Sequence, residues 1–282
     1  MGGGGGWDYD YSENALQKAS HEYKAEAAKE GVVRTYKGKE SKGLPAPVGK
    51  EISTDSPTPL VVAVDVSGSM SHWPSVIFEK LPVLYSEAKL HLPDVEISFC
   101  AIGEPSCHML QVCDFRAGKD LEEGINAIHP CGQDEYFEVT LDYYANHCSM
   151  PKAKKGLFVV CGNEPFRPEI EPAHLERYCG DKGRQKTRTV DVIKELQKKF
   201  DLYMLYVPTI DGIDAWEGSF GKQMVFKMED PRRIIDCIIG LCAIYADDYA
   251  AFEKRLAIRQ TPEQVKQVLG TLHTASAKKG KK

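Results

Sequence analysis

Five consecutive residues, Asp65-Val66-Ser67-Gly68-Ser69, put a carboxylate and two hydroxyls at alternate positions, with a glycine between the serines. Carboxylate and hydroxyl oxygens suit a hard cation such as Mg²⁺, and a glycine lets the chain turn tightly enough to bring them together. The same residues also make an ordinary serine-rich turn, in which short polar side chains bond their own backbone. Context separates the two readings. Pro59–Ser67 (PLVVAVDVS) is a continuous, Val-rich run of the kind buried on both faces of a sheet. Pro74 then sits where a helix can begin, with Ile77, Leu81, Leu84 and Ala88 at helical spacing. The oxygens therefore leave the end of a buried strand just before a helix, where α/β sheets place their ligands.

Other groupings offer chemistry of other kinds. A phosphohydrolase also carries an Asp after its first strand with Mg²⁺ beside it. It needs a second acid two residues later to protonate the leaving group, and Ser67 stands there. Cys100, Cys107, His108 and Cys113 suggest zinc, but no C-x-x-C pair is present and strand alternation turns such residues apart. His129 with Cys131 and His147 with Cys148 raise a cysteine nucleophile, which needs a proximity that sequence does not show. Lys182, Arg184, Lys186 and Arg188 form a basic stretch, read as a solvated loop that could contact an acidic partner or RNA.

The remaining pattern supplies a frame for these groups. Strands are expected at Val95–Gly103, at Cys107–Phe115 as the return strand of a hairpin, at Lys155–Gly162, at Leu202–Val207 and at Gln223–Met228. Helices are expected at Ser75–His91, Asp120–Ile128, Tyr136–His147, Val190–Phe200, Arg232–Tyr245 and Thr261–Leu272, with Asn163–Thr189 irregular. Strands alternating with helices imply a mainly parallel sheet covered on both faces, and the hairpin adds an antiparallel strand. Ligands then belong at the ends of the first strand, in the loop 129–135 and in the loop after 155–162.

At 282 residues, 42% hydrophobic and 27% charged, the chain can build a sizeable core without disulfide or metal staples. No apolar run approaches a membrane span, and Met1 followed by five glycines is no secretory signal, so nine irregularly spaced cysteines read as reduced thiols of a cytoplasmic protein. The net charge of −5 is a difference between an acidic body and a basic end, the stretch from Phe252 onward having eight Lys/Arg against two Asp/Glu. An acidic body argues against nucleic acid as the main partner and suits a cation or a basic surface.

The segment PLVVAVDVSGSM, with the order of elements from Pro59 to about Tyr249, resembles the von Willebrand factor A (VWA) domain family and its metal-ion-dependent adhesion site (MIDAS). The resemblance implies a doubly wound, Rossmann-like α/β fold with one antiparallel edge strand. It also implies that Asp65, Ser67 and Ser69 are the first metal-binding motif, completed by a Thr from a second loop and an Asp from a third. Here the second loop, His129–Glu135, has Cys131-Gly132-Gln133-Asp134 and no Thr, so Gln133 or Asp134 is left to supply oxygen, with the carboxylate of Asp134 the better donor. In the third loop Asn163 stands where the Asp is expected, with Glu164 beside it. In that family mainly hydroxyl ligands leave the cation with an open position, which an Asp or Glu of a partner protein fills.

The expectation is therefore a non-enzymatic, cytoplasmic adaptor or scaffold that binds Mg²⁺, or Mn²⁺ or Ca²⁺, and through it an acidic residue of a protein partner. The alternatives are an Mg-dependent phosphohydrolase using Asp65 and an assembly module whose metal site is vestigial. The expected organisation is an N-terminal Gly-rich arm and linker over 1–57, a VWA-like domain over 58–250, and a C-terminal helix with a basic tail over 251–282. Within the arm, Trp7, Tyr9 and Tyr11 alternate with Asp8 and Asp10 ahead of a capped helix beginning at Ser12, so that the arm could serve in assembly.

Overall fold

The computed structural model describes residues 46–279 except 72, 105–109, 129, 131, 133 and 229, and leaves the side chains of 69 and 273–279 undescribed. Of the expected arm and linker over 1–57, residues 1–45 lie outside these residues, the aromatic segment and the helix beginning at Ser12 among them.

Strands β1 (Ile52–Ser53), β2 (Leu60–Asp65), β3 (Ile97–Ile102), β4 (Leu110–Val112), β5 (Cys148–Ser149), β6 (Gly156–Gly162), β7 (Glu169–Ile170), β8 (Thr187–Arg188), β9 (Phe200–Tyr206) and β10 (Val225–Lys227) alternate with nine α-helices among the described residues. These are α1 (Trp73–His91), α2 (Leu121–Ala127), α3 (Phe137–His147), α4 (Pro172–Cys179), α5 (Thr189–Lys199), α6 (Ile213–Phe220), α7 (Ile234–Tyr245), α8 (Tyr249–Arg259) and α9 (Pro262–Lys279). Six strands form the central sheet in the order β10-β9-β6-β2-β3-β4. Every pairing in it is parallel except β3 with β4. The mainly parallel sheet with one antiparallel edge strand and helices on both faces is thus as expected.

Side chains of β2 alternate between the two faces of the sheet. Leu60, Val62, Val64 and Val66 join the core under α1, α7 and α8, whereas Val61 and Ala63 join the core under α3, α5 and α6. Strand periodicity puts Asp65 on the second face, towards α3. Chain progression reverses between β2 and β6, since β2 leads outward to β3 and β4 on one side and β6 leads to β9 and β10 on the other. A doubly wound sheet opens a crevice at such a reversal, beyond the carboxyl ends of the two strands. Asp65 ends β2 and Asn163 follows β6, so both stand at that crevice.

The core reaches past the 58–250 span at both ends. Ile52 is buried and pairs with Cys148, while Thr54 and Ser56 are also buried. At the other end Phe252, Leu256, Val268 and Leu272 lie in the same cluster as α1 and α7. Gly240 permits that approach, because a Cβ there would come within 2.3 Å of Leu272 Cδ1. Charged pairs add to the seam: Arg255 donates to Glu87 at 2.6 and 2.9 Å, and Arg259 to the fully buried Asp236 at 2.8 Å.

Two helices depart from the sequence expectation. The stretch 163–189, expected to be irregular, contains α4, whose stripe of Leu175, Tyr178 and Cys179 is too short to show periodicity. It ends on Gly180 in the left-handed conformation, φ 86°, a common helix stop. Helix α6 was not expected either, and its buried Trp216 anchors it against Phe137, Phe166 and Phe220 in edge-to-face contacts.

Candidate metal centre

The first loop is folded by its own polar groups. Asp65 Oδ1 accepts the backbone N–H of Ser67 at 2.8 Å and the Ser67 hydroxyl at 2.9 Å. Gly68 follows with φ +38°, and its N–H donates to the Gly132 carbonyl at 3.1 Å, which ties the first loop to the second. Gly68–Met70 then forms one 3₁₀ turn, which holds the backbone of Ser69 four residues beyond Asp65, the end of β2.

The second loop is clamped from below. Gly132 has φ +90°, and a Cβ there would come within 2.3 Å of Glu104 Cγ, so only glycine fits between that side chain and the turn. Glu104 also accepts the backbone N–H of Asp134 at 3.2 Å. This geometry carries the side chain of Asp134 outward, where it is 62% exposed and 3.7 Å from Arg167. The next residue, Glu135, turns inward instead: it is buried, and its Oε1 is hydrogen-bonded to the Ser67 hydroxyl. The structure therefore brings Asp65, Ser67 and Glu135 together, and sets Asp134 on the rim. Gln133 lies outside the described residues. Thr140, the fourth residue of α3, is buried beside Cys100, and its hydroxyl lies 4.0 Å from the Cys100 thiol.

In the third loop Asn163 is buried, and its Nδ2 donates to the Thr209 hydroxyl at 2.7 Å. That bond turns Oδ1 away from Thr209 and leaves it without a partner. Glu164 is half-buried; its backbone carbonyl accepts the indole N–H of Trp216 at 2.8 Å, and its side chain interacts with Glu135. Gly162 keeps this loop close to the first, since a Cβ there would lie 3.5 Å from Asp65 Cβ and 2.6 Å from Phe137 Cζ.

Burial raises the pKa of Asp65 above the ordinary carboxylate range, against the pull of the Ser67 hydrogen bonds, and Glu164 adds to the rise. Burial raises Glu135 as well, and the charges of Asp65 and Glu164 push it further. The Ser67 hydroxyl has one proton and two carboxyl neighbours, so it cannot donate to both at once. Charge balance at the pair needs either a shared proton or a cation. Three buried oxygens, Asp65 Oδ2, Glu135 Oε2 and Asn163 Oδ1, lack any hydrogen-bond partner. Orphaned buried acceptors are costly, and a hard cation is one group that would satisfy them. The residues present fit Mg²⁺, with oxygen from Asp65, Ser67, Glu135 and Asn163. Among the described residues no three His, Cys, Asp or Glu side chains form a metal-ligand group, so a cation here would rest on mixed carboxylate, hydroxyl and amide oxygens.

The described cysteines do not form a reactive centre. The seven described are all buried and unbridged. Burial pushes the thiols of Cys113, Cys148, Cys179 and Cys242 up to about 12, which keeps them protonated and poorly nucleophilic. His147 sits between Glu51 and Asp181, at 2.8 and 3.0 Å, and so serves a salt-bridge cluster.

No family model and no curated protein sequence matches the chain. Solved structures do. The open conformation of the pilus adhesin SpaC from Lactobacillus rhamnosus GG is 11% identical with a TM-score of 0.46, over 77% of this chain and 33% of the adhesin. A von Willebrand factor type A protein from Catenulispora acidiphila is 15% identical with a TM-score of 0.43, over 68% of this chain and 43% of its own. The SpRpn10 VWA domain is 9% identical with a TM-score of 0.40, over 60% of this chain and 85% of its own. This chain thus spans about one third of the adhesin's length. The likeness is one of fold, to structures that include VWA domains.

Proposed function

We propose that this chain is a VWA-type interaction module that binds a divalent cation, Mg²⁺ in the first place, and through it an Asp or Glu of a protein partner. Asp65 and Ser67 would hold the ion from the first loop with Ser69, Asn163 from the third, and Glu135 from the second in place of Asp134. The observation that carries this reading is the set of three buried, partnerless oxygens on Asp65, Glu135 and Asn163, at the crevice where the sheet reverses. A cation with hydroxyl and amide ligands keeps much of its positive charge and so attracts an outside carboxylate. The chemistry is binding rather than turnover: Ser67 occupies the place of the proton-donating acid of a phosphohydrolase, and the described thiols are held protonated. Among the described residues no helix is long and apolar enough to cross a membrane.

One observation favours a second reading, in which the site is vestigial and the tails do the assembling. Glu135 sits on the Ser67 hydroxyl, so the chain carries its own acid where a partner's would approach. A proton shared across the pair would close such a site without metal. Thermal melting separates the two. The metal-binding reading expects Mg²⁺ to raise the melting temperature over that in chelator, and Asp65→Ala to abolish the difference. Identical melting in both conditions supports the vestigial site.

A further inference from the structure

A guanidinium stands on the outer side of the second loop. That of Arg167 lies 4.1 Å from the centre of the Tyr136 ring and 3.7 Å from the Asp134 carboxylate. Those two residues flank Glu135, whose carboxyl turns inward to the Ser67 hydroxyl. Arg167 and the proposed ion therefore stand on opposite sides of one loop. The backbone of Arg167 is fixed from two directions. Its N–H donates to Glu138 Oε2 at 3.4 Å, and its carbonyl accepts the hydroxyl of the fully buried Thr189 at 2.5 Å. The side chain itself stays 44% exposed. Its contact with Asp134 is longer than a hydrogen bond and open to water at both ends, so the pair contributes little.

We propose that Arg167 selects the partner: the segment that binds here carries two acids at alternate positions, Asp/Glu-x-Asp/Glu, one on the cation and the other on Arg167. This inference rests on the metal-binding reading above. Span is the first argument. One backbone, about 5 Å across, separates the guanidinium from the carboxyl of Glu135, and that is more than a single carboxylate bridges. Alternate side chains of an extended chain lie on one face about 7 Å apart, which suits two such stations. Charge is the second argument. Asp65 and Glu135 would bring two carboxylates to the ion, and Glu164 interacts with both. An acid arriving from outside therefore gains from a fixed positive charge at the rim. Arg167 is preorganised to supply it, because the Tyr136 ring backs its planar fork, and that fork takes a carboxylate through two parallel hydrogen bonds. Once one acid is on the cation, the other is held at a millimolar effective concentration, enough to displace the loose contact of Asp134.

The full chain loaded with Mn²⁺ tests this against two pentapeptides, acetyl-Gly-Asp-Gly-Asp-Gly-amide and acetyl-Gly-Asp-Gly-Asn-Gly-amide. Binding is read from the fall in water-proton relaxation as a carboxylate displaces water from the bound Mn²⁺. The native chain should bind the two-acid peptide about tenfold more tightly. R167A, still taking up Mn²⁺, should bind the two peptides equally. R167K should keep part of the preference, because lysine holds the charge without the fork. The proposal is overturned if the native chain binds both peptides equally, or if R167A keeps the preference. A native chain that takes up no Mn²⁺ sinks the metal-binding reading itself, and this inference falls with it.

Discussion

The hydroxyl of Ser67 lies against the carboxyl of Glu135, 68 positions further along the chain, while also reaching Asp65 at 2.9 Å. One hydroxyl thereby joins two buried acids from two loops. Glu135→Gln should relieve the repulsion between those acids and stabilise the metal-free protein by about 1 kcal/mol, while weakening Mg²⁺ binding about tenfold. Urea denaturation with and without Mg²⁺ checks both halves. A variant that melts lower than the native chain in chelator would contradict the crowding of charge.

Gly162 brings the third loop up to the first. Gly162→Ala would press a methyl group against the Phe137 ring, 2.6 Å away, and that ring is wedged against Trp216. Overpacking of this kind costs about 1–3 kcal/mol. Chemical denaturation should show that loss, and metal titration should show a weaker site, because Asp65 Cβ lies next to the added methyl.

The C-terminal helices belong to the folded core. Leu272→Ala should cost about 2–5 kcal/mol, since Leu272 is fully buried with Phe252 and Gly240. Arg259→Met should cost about 3–5 kcal/mol by leaving Asp236 charged and buried without its cation. Equilibrium unfolding measures each. Losses below about 0.5 kcal/mol would mean that this end is peripheral.

His147 supplies a pH dependence away from the candidate metal centre. Burial opposes its protonation, but the hydrogen bonds and charges of Glu51 and Asp181 outweigh that and hold its pKa above 6.5. A raised folded-state pKa means that this contribution is complete below about pH 6.5 and is lost as pH rises through the folded value. Native stability should therefore fall over that interval with a slope that His147→Gln removes. An unchanged slope in the variant would show that the cluster is not the source.

Much of this architecture was legible because it rests on local pattern. The PLVVAVDVS run reads as a strand buried on both faces, and D-x-S-x-S at its end marks the crevice. Helices of eight residues left no such trace. Helix α6 is fixed by one tryptophan packed against Phe137 and Phe166, both far along the chain, and α4 by three buried residues. The second loop shows a finer limit. Asp134 and Glu135 are adjacent acids, and their sequence does not tell which faces the strand. The strand-to-loop clamp of Glu104 on Gly132 and on the Asp134 amide decides it, a contact across 30 residues. The remaining signal was position, since Glu135 is the acid nearer the start of α3, where a helix N-terminus favours negative charge.

In the proposed site, the oxygens around Asp65 and Ser67 hold a divalent cation. Calorimetric titration of Mn²⁺ into the metal-free full chain tests it most directly. A single saturable site is expected in the native protein, weakened at least about tenfold in Ser67→Ala and absent in Asp65→Ala, with both variants folded. No binding heat in the native chain, or equal binding by Asp65→Ala, would contradict it.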